Sequence, residues 1–203
     1  MKKGILLAIG VSVAVLTTGC QSTQSIAQDT GIEDEAAKAF IGNGLQLSLP
    51  KIPDYPHELQ AMQTLIADHD GRTQALQAVL SAKSDQVNVV MMLANGPRIM
   101  EVDWTPEDIL ETRSSFAPEK LSGLNILADI FLVFWPEAAV KKALPENVFV
   151  IQKNGLRLIY DDERQIADIR YYTKDKRGRD HFVLTNYDLG YSLTIYSDEM
   201  SAQ

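Results

Sequence analysis

From residue 58 onward, apolar and polar residues alternate along short segments separated by turn residues, the pattern of strands in an antiparallel meander. Strands are predicted over 58–67, 72–81, 87–94, 98–104 and 109–113, and again over 149–153, 156–160, 165–172, 181–187 and 191–196. Leu76, Ala78, Leu80 and Ala82 fall on one face of theirs. Met100, Val102 and Trp104 lie opposite Ile99, Glu101 and Asp103 on another. Asp68-His69-Asp70-Gly71, Asn95-Gly96-Pro97, Asn154-Gly155 and Asp161-Asp162 read as turns. The total is nine to eleven strands, with no fixed repeat period, so neither a solenoid nor a propeller is expected.

Between the two groups of strands, residues 118–144 follow a helical period and are apolar nearly all round. Leu124, Leu127, Phe131, Phe134 and Ala138 make one stripe, while Ile126, Ile130 and Val133 occupy much of the remaining surface. A helix of this kind must be covered on several sides. Pro136 disfavours helix at Trp135 and opens a second piece, whose Glu137 and Lys141-Lys142 suit its dipole and which Pro145 ends. Strands, an apolar helix and more strands imply an α+β fold that is mainly β: a curved antiparallel sheet, or incomplete β-barrel, wrapped around a central apolar helix. Such a helix is either plain core or the plug of a cavity for acyl chains.

The chain before residue 57 has a different character. Lys2 and Lys3 precede an apolar run from Gly4 to Leu16, then Thr17-Thr18-Gly19, then Cys20, the one cysteine. This is the layout of a bacterial lipoprotein signal, although the large apolar residue lies four rather than three positions before the cysteine. A transmembrane anchor fits less well, because the apolar stretch falls short of the ~20 residues that span a bilayer core. An ordinary cleaved signal would leave an unpaired thiol in an oxidising compartment, whereas lipidation uses it. The expected organisation is a signal at 1–19, a lipidated flexible tether and extended lead-in at 20–56, and one domain at 57–203. Pro50, Pro53 and Pro56 place the lead-in along the domain edge. Gln21, which is not the aspartate that marks inner-membrane retention in enterobacterial-type sorting, points to the outer membrane, facing the periplasm.

Loss of the two signal lysines takes the formal charge from −8 to −10. An acidic chain argues against nucleic acid and against binding anionic lipid head groups by charge, so attachment falls to the acyl chains on Cys20 and to exposed apolar residues. With one cysteine there is no intrachain disulfide, and the fold rests on its hydrophobic core.

The run Ile126-Leu-Ala-Asp-Ile-Phe-Leu-Val-Phe-Trp-Pro136, with residues 157–160, Ile166-Ala-Asp-Ile-Arg-Tyr171 and Gly190-Tyr-Ser-Leu-Thr-Ile195, resembles lipoproteins encoded with aryl polyene or related fatty-acid biosynthesis clusters. Those are similar to the LolA/LolB lipoprotein carrier family. The resemblance implies an incomplete β-barrel closed by helices over an apolar cavity, and a role in handling a lipid or lipid-linked product at the outer membrane, with a periplasmic carrier or envelope-biosynthesis protein as a further partner. It also implies an exposed apolar loop that meets the membrane; the turns at 83–86 and 95–99 are candidates, though neither tip carries a leucine.

No Gly-x-Ser-x-Gly elbow occurs, and His57, His69 and His181 lack metal-ligand spacing. Arg177-Gly-Arg-Asp-His181 reads as a solvated hairpin tip before an anion site. Asp129, odd in so apolar a helix, either hydrogen-bonds a backbone group or pairs with an arginine such as Arg157 or Arg170. The leading expectation is a non-enzymatic binder, with no cofactor beyond the lipid on Cys20 and no metal. Met91, Leu93, Trp104, Leu127, Ile130, Phe131, Phe134 and Trp135 are its cavity-lining candidates. A structural or assembly lipoprotein acting through protein contacts is the alternative, and an acyltransferase or thioesterase accessory enzyme the third.

Overall fold

The computed structural model describes residues 22–25, 36–94 and 96–200. Cys20, the signal and Gln21 lie outside the described residues. Eleven strands form one antiparallel sheet: β1 (Ser22–Ser25), β4 (Leu59–His69), β5 (Arg72–Ala82), β6 (Val87–Leu93), β7 (Arg98–Trp104), β8 (Ile109–Arg113), β9 (Val148–Lys153), β10 (Leu156–Asp161), β11 (Arg164–Tyr172), β12 (Asp180–Asn186) and β13 (Tyr191–Glu199). Their order is β1-β8-β7-β6-β5-β4-β13-β12-β11-β10-β9. The sheet is therefore a pair of meanders joined where β4 meets β13, with Leu65 opposite Ile195 and His69 opposite Tyr191. Among the described residues it is open, with β1 and β9 as its edges. Two-residue turns set the register of two hairpins. Asp70-Gly71 and Asn154-Gly155 all have positive φ, which glycine and asparagine or aspartate tolerate and which matches the twist of the flanking strands.

The helices α1 (Gly123–Phe134) and α2 (Glu137–Ala143) connect the two meanders. Ser122 caps α1, and the chain breaks out of helix at Trp135, before Pro136. The ends of α1 are held by opposite halves of the sheet. Glu111 on β8 accepts from the Gly123 N–H at 2.9 Å. At the other end, buried Arg157 on β10 donates to the carbonyls of Leu132 and Trp135, and the Tyr171 hydroxyl on β11 donates to that of Val133 at 2.8 Å. An acidic group at the helix start and a cation at its end also match the helix dipole. This clamp shows that the sheet curves: β8 and β10 are eight strand spacings apart, about 38 Å if flat, yet both reach a helix about 18 Å long.

Two sequence expectations need correction. Residues 22–25 are an edge strand paired with β8, not free tether. The segment before residue 57 is not a lead-in along the edge either: β2 (Lys38–Gly42) and β3 (Leu45–Ser48) form a hairpin packed against α1, with Ala39, Ile41, Leu47 and Leu49 buried in the core. The proline segment that follows is pinned by two indoles, Trp104 donating to the Pro50 carbonyl at 3.1 Å and Trp135 to that of Pro53 at 2.6 Å. Tyr55 then packs on Trp135, 4.7 Å between rings. No helix among the described residues is long and apolar enough to cross a membrane.

Candidate functional site

Packing is uneven around α1. On one side Trp104, Phe131 and Trp135 pack on one another with 5.1–6.2 Å between ring centres, and with Leu127 they make a filled core. On the other side Ile126, Asp129, Ile130 and Phe134, spaced by three and four, look across a cavity of about 410 Å³ to the concave face of the sheet. The strand period supplies that face: Gln63, Leu65 and Ala67 on β4, Leu76 and Ala78 on β5, Val89 and Met91 on β6, and Tyr191, Leu193 and Ile195 on β13. Small residues opposite the helix, Ala67 and Ala78, leave the space. Its volume is within the range of small-molecule sites, about 300–1,000 Å³. Exposed Lys120 and half-exposed His69 line it too and mark where it meets solvent. A shallower depression lined by Asp70, Gly71, Thr185 and Tyr187 adjoins the His69 side.

Three of the eight predicted lining residues, Met91, Ile130 and Phe134, face this cavity. Trp104, Leu127, Phe131 and Trp135 are fully buried on the opposite, filled side, and half-buried Leu93 packs against the core. Trp104 and Trp135 are core because each indole N–H is committed to a proline-segment carbonyl, which fixes the rings away from the void. What sequence reasoning missed is the sheet wall supplied by β4, β5 and β13 and the polar residues within the cavity. The signal was present: Gln63 interrupts the otherwise apolar inward row Leu59, Ala61, Leu65, Ala67 of β4.

Asp129 pairs with neither arginine. Arg157 is spent on the carbonyls at the end of α1 and Arg170 on Asp168, 3.2 Å away. Asp129 instead accepts a hydrogen bond from the Tyr191 hydroxyl at 2.6 Å. Burial pushes its carboxyl up to about 7, against the smaller opposing effect of that hydrogen bond. Burial and the adjacent carboxyl hold the Tyr191 phenol well above its ordinary range.

The remaining chemistry is local. His69 Nδ1 lies 3.3 Å from the Gly190 carbonyl and its Nε2 3.7 Å from Asp70, while His181 is stacked between Tyr172 and Tyr196 at 4.6 Å from each ring. Two of the four basic residues in the turn after β11 are paired within it: Arg179 forms an ion pair with Asp175 at 2.8 Å and lies over Tyr196, and Lys174 pairs with Asp180 at 2.8 Å. Among the described residues no three histidine, cysteine or acidic side chains are grouped to hold a metal ion. Among the described residues the most exposed large hydrophobic side chain is Phe116, 66% exposed, in the 114–122 connection whose Lys120 and Leu121 line the cavity. It is not in the turn at 83–86.

The model of a family described as Protein of unknown function (DUF3261) matches residues 60–199, a stretch that contains both helices and all the cavity-lining residues. No curated protein matches the chain.

Proposed function

The chain belongs to the DUF3261 family, and on that premise we propose that it is an outer-membrane lipoprotein that binds an acyl or polyene chain in the cavity between α1 and the sheet. The observation that carries this reading is the cavity itself: about 410 Å³, walled mainly by apolar side chains, in a fold whose aromatic core on the other side of α1 is filled. Apolar space of this size costs stability unless it is used, because its lining lacks the contacts a filled core would make. The LolA/LolB kinship belongs to the same proposal, supported by an open antiparallel sheet curved over an apolar helix.

The chain path supports a route of delivery. Pairing of β1 with β8 sets Ser22, two residues past Cys20, opposite Arg113, whose guanidinium holds the Leu121 and Pro118 carbonyls at the cavity rim at 2.7 and 2.6 Å. Acyl chains on Cys20 would therefore enter the bilayer within a few residues of the cavity and of exposed Phe116. The protein acts as a binder that hands its cargo on, with no covalent step.

The test is native mass spectrometry of the full chain carrying Cys20→Ser, purified without detergent. A co-purifying acyl-chain lipid of one copy per protein, or uptake of one from vesicles, is the expected result. A ligand-free protein that stays ligand-free in the presence of vesicles would overturn the reading.

A further inference from the structure

Gln63 is the cavity's unexplained residue. It lies on β4 with Ala78 and Ser197 as its ladder neighbours on β5 and β13, is 3% exposed, and lines the apolar cavity. Its Nε2 is the one buried side-chain polar atom without a hydrogen-bond partner among the described residues. A buried amide donor left unpaired is costly, and an apolar side chain of the same shape would avoid the cost. Placement adds direction. His69, at the rim, is six residues along β4 from Gln63, about 20 Å in extended chain, and below Gln63 the next inward residue, Ala61, is fully buried. The amide is thus at the closed end. Asp129 is the carboxyl that α1 supplies, Asp68 lines the cavity beside His69, and the basic lining residues, Lys120 and His69, sit at the rim. A carboxylate at the closed end would be buried without a counter-charge.

We infer that the cavity takes an amphiphile whose inserted end carries an uncharged oxygen acceptor, an alcohol, ether or carbonyl, hydrogen-bonded by Gln63 Nε2. The inference rests on the apolar-chain reading and names its substrate class: a chain oxygenated at its buried end. Gln63 is a specificity residue, and the stability it costs the empty protein is recovered on binding.

The experiment measures binding of the neutral fluorophore N-phenyl-1-naphthylamine to the full chain carrying Cys20→Ser, and its displacement by dodecan-1-ol and by dodecanoate. Each is repeated in Gln63→Met and, as a second shape, Gln63→Leu. The expected result is an affinity for dodecan-1-ol weaker by about fivefold in the variants, the worth of one hydrogen bond. Fluorophore and dodecanoate affinities stay within twofold, and the ligand-free variants melt at or above the parent temperature. Unchanged dodecan-1-ol affinity, or variants that lose melting temperature and fluorophore binding together, would overturn the inference while leaving the apolar-chain reading standing. A parent protein that binds no fluorophore would overturn both.

Discussion

The Tyr191 hydroxyl donates to Asp129 Oδ1 across 2.6 Å, joining the first residue of β13 to the middle of α1 inside an apolar cavity. One tyrosine thus ties the helix to the strand seam at which the two meanders meet. Burial holds that carboxyl up to about 7.

That carboxyl makes stability depend on pH. In the unfolded chain it titrates near 3.8, and in the folded protein at about 7. Between these values the folded state keeps a proton that the unfolded state has released, so stability falls as pH rises from about 4 to 7, and the loss is complete above 7. Asp129→Asn keeps an acceptor for Tyr191 and removes the titration. Thermal melting should show a variant more stable than the parent at pH 8, by about 5–10 °C, with the difference closing toward pH 4. A parallel pH profile for the two proteins would contradict the burial argument.

Arg157 caps α1 from β10, and its loss leaves the Leu132 and Trp135 carbonyls without donors in a buried site. Arg157→Met should cost about 2–3 kcal/mol in denaturant unfolding. Lysine, with one point of charge in place of a fork, should restore only part.

The two sides of α1 should respond in opposite ways to changes of volume. Leu127 is in the filled core, and Leu127→Ala should cost about 2–5 kcal/mol. Ala67, in the cavity wall, faces space, and Ala67→Leu should leave the melting temperature unchanged or raise it, because the added carbons meet a void in place of packed neighbours. Calorimetry on the pair checks this.

Replacing Cys20 should release a folded, soluble chain that still binds its ligand and no longer fractionates with membranes. Circular dichroism and membrane fractionation measure the two halves of this expectation. Loss of folding would mean that the N-terminal segment does more than anchor.

The strands were legible because alternation is a local signal: every strand predicted from residue 58 onward is present, with Leu76, Ala78, Leu80 and Met100, Val102, Trp104 inward as their spacing required. The β2–β3 hairpin was overlooked beside a polar N-terminal stretch and three prolines, although Asn43-Gly44 between Ala39-Ile41 and Leu47-Leu49 is a strong hairpin pattern. The site was half legible. An all-round apolar helix announces that it is covered, but which face meets a void depends on how far the sheet curves, and that is set by Glu111 and Arg157 reaching in from strands distant in sequence. Trp104 and Trp135 misled for the same reason: large rings line cavities and fill cores equally well, and only their hydrogen bonds to Pro50 and Pro53 decide between the two.

The central claim is that the space beneath α1 is a binding site. Ala78, deep in that space opposite Gln63 and Met91, offers the direct test, because Ala78→Phe fills the cavity from the sheet side without touching the aromatic core. Saturation binding of N-phenyl-1-naphthylamine should show one site per chain in the parent and none in Ala78→Phe at an unchanged melting temperature. Equal binding by both proteins, or none by the parent, would contradict the account.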